Sequence, residues 1–244
     1  TGLMRMSDVS VEQWRQADEK VRKNLPPGVK LVRTLRWCTV NGRIAWSPDG
    51  RMLASPSENN SIKLWDVETG DCLAKLLGHQ DDVLSVVFDP SGRTLASGSA
   101  DNTVKLWDLA SRKVLRTLKG HNGAVTCVIY IPEIMALASG SYDGTIKLWD
   151  AEKGDCLRTL EGLVNSINSI AIDPSGFVLA SAGGAIEMWQ LVRGIVLRTL
   201  NGPTTNVSFN PQSGILAGCN YDGTIKLWEP GSGQMLRVLE GHTS

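Results

Sequence analysis

The chain has 244 residues, 42% of them apolar, and its 25 Lys and Arg are matched by 25 Asp and Glu. Zero net charge excludes the global positive field of a general nucleic-acid binder, though not a local patch. No apolar run approaches the roughly 18–20 residues that a membrane span needs, and the apolar fraction suffices for the core of one sizeable repeat array or one large all-β domain.

The first 30 residues hold a charged stretch where a secretory leader would be apolar. Ser10 with Gln13 three positions on reads as a capping box. Val11, Trp14, Ala17 and Val21 follow at helical spacing, which predicts an amphipathic helix over about 11–23, ended before Pro26-Pro27. Residues 1–30 are therefore an N-terminal segment whose apolar stripe packs on the chain's own fold, on a sister chain or on another domain.

From residue 31 onward the chain reads as short strands. LVRTL at 31–35 is an outer strand, and the clearest unit follows as strands at 83–88, 94–99, 103–108 and 114–118. Turn signals separate them: Asp-Pro-Ser-Gly at 89–92, Asp101-Asn102, and Ala110-Ser111-Arg112. A tryptophan followed by an acidic or polar residue recurs at Trp65, Trp107, Trp149, Trp189 and Trp228, in steps of 42, 42, 40 and 39. One unit of about 40 residues is repeated five times, over about 36–77, 78–119, 120–161, 162–201 and 202–241. Four short strands per 40-residue period select a propeller among all-β folds.

Gly-His, Ser/Asp-Pro-Ser/Asp-Gly, LASGS, a turn Asp and KLWD occur in that order, and over 31–244 the chain resembles the WD-repeat β-propeller family. The resemblance implies blades of four antiparallel strands, each repeat giving the outer strand of one blade and the three inner strands of the next. It also implies a buried polar network, present in full as His79, Ser97, Asp101 and Trp107, and as His121, Ser139, Asp143 and Trp149. In such a set the Asp accepts from the imidazole, the Ser hydroxyl bridges, and the indole N–H donates.

The other units depart from this pattern. Arg36-Trp37 replaces Gly-His in the first, where Asn59 replaces the turn Asp. Leu163 stands at the His position of the fourth, whose turn is shortened to Ala182-Gly183-Gly184. Pro203 stands there in the fifth, although Asp222 remains. Those blades are expected to rest mainly on apolar packing. Cysteines at 38, 72, 127, 156 and 219 form no C-x-x-C pair and read as small buried hydrophobes in a reducing, cytoplasmic setting.

The His–Asp–Ser sets are read as structural, because one active site would not recur in successive blades and a nucleophile needs open approach. No catalytic residue, cofactor or metal site is expected. The resemblance implies protein or peptide binding on the top face of the ring. Carried over position by position, the candidates there are Trp37, Glu58, Asp82, Leu84, Thr126, Tyr142, Asn168 and Tyr221, with the two tyrosines foremost. Lys63, Lys105, Lys147 and Lys226 are expected to point outward as solvated strand residues. The chain is thus expected to be a non-catalytic protein-interaction scaffold or sensing module of a larger regulatory protein, with no membrane or nucleic-acid partner. A small-molecule or glycan-binding propeller using the channel is the alternative. Five blades fit either part of a longer propeller or a self-contained five-repeat unit that closes alone or with a sister chain.

Overall fold

The computed structural model describes residues 19, 42–162, 166–202 and 204–241. The helix expected over 11–23 lies, apart from Glu19, outside them, as do the strand at 31–35, Trp37, Cys38, Leu163 and Pro203.

Among the described residues, twenty strands form five separate four-stranded antiparallel sheets, each built from consecutive strands. The first holds β1 (Ala45–Trp46), β2 (Met52–Ser57), β3 (Ser61–Asp66) and β4 (Cys72–Leu77). The second holds β5 (Val83–Phe88), β6 (Thr94–Ser99), β7 (Thr103–Asp108) and β8 (Lys113–Lys119). The third holds β9 (Val125–Ile131), β10 (Ala136–Ser141), β11 (Thr145–Asp150) and β12 (Cys156–Glu161). The fourth holds β13 (Ser169–Ile172), β14 (Val178–Ala182), β15 (Ile186–Gln190) and β16 (Ile195–Leu200). The fifth holds β17 (Thr204–Phe209), β18 (Leu216–Asn220), β19 (Ile225–Trp228) and β20 (Met235–Leu239).

Alternation decides which side chains meet the neighbouring blade. Leu64, Leu106 and Leu148 precede the repeating Trp and face the next blade, while Trp107, Trp149, Trp189 and Trp228 face the previous one. The core is accordingly divided into four apolar clusters, one for each junction between successive blades. A register shift opposite the Trp bulges the fourth strand of all five blades, where two of its residues face one on the third. The hairpin between the first two strands turns on a positive-φ glycine in four blades, such as Gly92 at +70°. In the third blade a 3-10 helix, Pro132–Ile134, takes its place and ends on Met135 at φ +50°.

Around the axis the first strands are stitched to one another. Arg43 N–H donates to Leu84 O at 2.9 Å, and Val128 N–H and Val207 N–H donate to Ser85 Oγ and Ser169 Oγ, each at 3.2 Å. Gly42 permits the closest approach, since a Cβ there would lie 2.7 Å from Leu84 O.

The cysteines depart from the expected burial. Cys127 alone of the four described is buried; Cys72, Cys156 and Cys219 are exposed. Cys72 and Cys156 begin fourth strands, which form the outer rim of their blades and have solvent on one side.

Candidate functional site

The polar network ties a loop to the strands beneath it in the second and third blades. Trp107 Nε1–H donates to Ser97 Oγ at 2.8 Å, Ser97 Oγ lies 2.7 Å from His79 Nε2, and His79 Nδ1 lies 2.7 Å from Asp101 Oδ2. Trp149, Ser139, His121 and Asp143 repeat the chain at 2.8, 2.8 and 2.9 Å. Thr103 and Thr145 hydroxyls hold the second carboxylate oxygens at 2.6 and 2.7 Å.

Burial disfavours the imidazolium and pulls His79 and His121 below the usual histidine value, against the opposing pull of the aspartates. For Asp101 and Asp143 burial acts to raise the pKa but is outweighed. Hydrogen bonds from the threonines, the Gln80 and Asn122 N–H groups and the imidazoles leave both carboxyls at about 2. An ionised aspartate and a neutral histidine fit one directed chain: indole N–H to serine, serine O–H to Nε2, Nδ1–H to carboxylate. Both serines are buried, which denies a substrate approach to their hydroxyls.

The network's core survives where its histidine is missing. Trp65 donates to Ser55 and Trp189 to Ser181, both at 2.9 Å, so the first and fourth blades do not rest on apolar packing alone. In the fourth, Glu187 is fully buried against Gly162, where a Cβ would come within 2.0 Å of its Oε2. Gly218 takes the serine position of the fifth blade, and a Cβ there would lie 2.9 Å from the Trp228 ring. The lysines are not simply solvated: Lys105 and Lys147 are half-buried and donate to Thr117 and Thr159 on the next strand at 2.8 Å.

At the axis one opening of about 560 Å³ is lined from all five blades: Gly42, Arg43, Leu84, Thr126, Tyr142, Asn168, Thr205 and Tyr221. The structure thus brings together Leu84, Thr126, Tyr142, Asn168 and Tyr221, while Glu58 and Asp82 are exposed outside the lining. Thr126 is buried, and its hydroxyl lies 2.6 Å from Ile167 O; it joins two blades instead of facing outward.

Arg43 and Thr205 were not among the expected residues. Arg43 Nη2 reaches across the opening from the first blade to Asn168 O on the fourth, at 3.1 Å. The pairing registers place Arg43 level with Ser85, Cys127, Ser169 and Asn206. A long cation in a register of small side chains is the signal that would have found it.

Among the described residues no helix is long and apolar enough to cross a membrane, and no group of three or more His, Cys, Asp or Glu is placed to hold a metal. The sequence profile for "WD domain, G-beta repeat" matches residues 70–108, 112–150, 154–189 and 194–229. The profile for "Anaphase-promoting complex subunit 4 WD40 domain" matches residues 30–87. The chain is similar to Nuclear distribution protein PAC1 of Fusarium vanettenii, 34% identical over 81 residues, covering 33% of this chain and 18% of that protein. It is also similar to Lissencephaly-1 homolog of Caenorhabditis briggsae, 46% identical over 41 residues, 17% of this chain and 10% of that protein. A PAC1 protein of Arthroderma benhamiae is 36% identical over 74 residues, 30% of this chain and 16% of that one. The matches thus span less than a fifth of these relatives' length. Five four-stranded blades, repeating tryptophans and profile matches across most of the chain agree: it belongs to the WD domain, G-beta repeat family and folds as a β-propeller.

Proposed function

We propose that this chain is a non-catalytic interaction module whose channel mouth grips a protein or peptide partner. The observation that carries this reading is the convergence of five blades on one opening rimmed by two exposed phenols, Tyr142 at 57% and Tyr221 at 71% exposure. Tyrosine offers large contact area for little lost rotamer freedom, and such side chains recur as anchors of interfaces. Arg43 adds a guanidinium beside them, and among the described residues no carboxylate lines the opening, so an acidic group on the partner is the natural complement.

Similarity to proteins named for nuclear distribution supports a place in a cellular assembly. Exposed free thiols at Cys72, Cys156 and Cys219 fit a reducing, cytoplasmic setting. The test is capture from native lysate with the full chain as bait, beside a variant carrying Tyr142→Ala and Tyr221→Ala. A protein retained by the parent and lost from the variant supports the reading. Equal capture by both, or a thermal shift with a metabolite or glycan and no protein retained, refutes it.

A further inference from the structure

We infer that a groove between the second and third blades, on the side of the ring away from the channel mouth, docks a basic amphipathic helix of another protein. The groove encloses about 620 Å³. β10 separates the two surfaces: the turn at Pro132–Ile134 that lines the groove enters this strand, and Tyr142 leaves it. The groove is mainly apolar, with buried Leu106 and half-buried Tyr130 inside and Leu115 and Leu157 beside them, 53% and 56% exposed. Those two leucines are the extra residues of their fourth-strand bulges, a feature of every blade. What sets this groove apart is the turn. In the other four blades its entry residue is Ser47, Asp89, Asp173 or Asn210, whose side chain caps the hairpin with hydrogen bonds. The third blade has buried Ile131 there, and its turn places Ile134 and Met135 at the surface, 40% and 75% exposed.

Met135 is held at φ +50°, a left-handed backbone that is unfavourable for a residue with a long side chain. With three quarters of its surface in water, that side chain returns almost nothing to the core. A thioether is also the side chain best able to mould itself to an apolar partner. The rim gives the sign of the partner's charge. Asp89, Asp150 and Glu152 line the groove, and Arg116 alone among the described lining residues is a cation. Its guanidinium is already engaged. Like Arg158 and Arg198 in later blades, Arg116 reaches over a receiving turn and donates to a carbonyl there, in this case Glu152 O at 2.8 Å, and each of these turns ends in a positive-φ glycine. Three carboxylates against a tied guanidinium favour lysine or arginine beside the apolar anchors. A small ligand would need convergent polar groups to orient it. The groove offers the Tyr130 and Thr94 hydroxyls, which lie 3.3 Å apart and satisfy each other. Strand addition is opposed as well, because both flanking edges carry charge: Lys113, Arg116 and Lys119 on β8, Arg158 and Glu161 on β12. A helix whose apolar face enters the groove while its basic flanks meet the rim fits both surfaces.

Fluorescence anisotropy of labelled synthetic peptides with the full chain tests the inference. The first peptide is a helix with leucines on one face and lysines on its flanks. The second carries glutamates for the lysines, and the third keeps the lysines without the leucines. The first should bind at least about tenfold more tightly than either of the others. Met135→Gly removes the side chain and relieves the left-handed backbone, so it should weaken the first peptide about tenfold while melting no lower than the parent. Ile134→Ser and Glu152→Lys should each weaken it as well, and the Glu152→Lys loss should shrink in added salt. The variant carrying Tyr142→Ala and Tyr221→Ala should bind the first peptide as the parent does, which separates this groove from the channel mouth. No binding of the first peptide, equal binding of the lysine and glutamate helices, full binding by Met135→Gly, or loss of binding in the tyrosine variant each overturns the inference. Early melting of Met135→Gly also overturns it, since the side chain would then serve the fold.

Discussion

Trp107 and Ser97 are ten residues apart, and the indole of one donates to the hydroxyl of the other at 2.8 Å in a site closed to solvent. The same pair recurs in three other blades, and in two of the four the serine also serves a histidine. This contact lets one short phrase, repeated with small changes, specify a buried polar joint five positions around a ring with a single omission.

Removing the joint's hydroxyl should therefore have graded effects. Ser97→Ala leaves both an indole N–H and an imidazole nitrogen buried without a partner, each worth about 1–3 kcal/mol. Ser181→Ala strands the Trp189 indole but no imidazole. Urea unfolding should place the Ser97 variant below the Ser181 variant by about that amount. Equal losses would mean that the histidine takes no stability from the serine.

Acid should undo the network in two steps. The folded pKa of His79 and His121 lies below the unfolded value near 6.5, so the unfolded chain binds more protons in that window. Their contribution is complete above pH 6.5 and is lost as pH falls through the unfolded value toward the folded one. Asp101 and Asp143, at about 2 against 3.8, contribute above 3.8 and lose that contribution between 3.8 and about 2. Melting temperature followed from pH 8 to pH 3 should drop first below pH 6.5 and again below pH 4. His79→Asn with His121→Asn should remove the first drop, and its persistence would contradict the assignment.

Glycine at the receiving turns answers to a specific arginine. Gly50 and Gly154 both sit at positive φ, at +71° and +84°, but only Gly154 has a side chain in the space of its missing Cβ. Gly50→Ala should cost about 1 kcal/mol for backbone strain alone. Gly154→Ala should cost more, and the excess should shrink in an Arg116→Ala background, as a double-mutant cycle measured by chemical denaturation would reveal. Additive losses would show that the arginine does not set the glycine.

Much of this fold was written in local phrases. LASGS and KLWD mark the two inner strands and Asp-Pro-Ser-Gly marks the hairpin, so the first three strands of the second blade fall where the residues alone put them. The exceptions have physical causes. Cys72 and Cys156 share the phrase Gly-Asp-Cys-Leu at the start of fourth strands, and a rim strand has only one covered side, which no local pattern records. Thr126 sits at the bulged start of its first strand and turns its hydroxyl to the next blade, a contact made across 41 residues. Arg43 escaped notice because its unit lacks the Gly-His marker that aligns the others, and its partner Asn168 is 125 residues away.

Tyr142→Ala and Tyr221→Ala should each weaken partner binding by about tenfold, the loss of about 1.4 kcal/mol typical of a moderate interface anchor. Both side chains are more than half exposed, so thermal melting should be unchanged. Calorimetric titration with the captured partner measures the first, and calorimetric melting the second. A variant that binds as well as the parent, or one that melts early, would contradict the assignment.

The most direct test of the channel mouth as the gripping surface is amide hydrogen exchange of the full chain with and without its captured partner. The account predicts slowed exchange in the peptides that carry Arg43, Tyr142, Asn168 and Tyr221, from four different blades at once, with the outer strands unchanged. Protection confined to the rim strands β8, β12 and β16, with none at the axis, would contradict it.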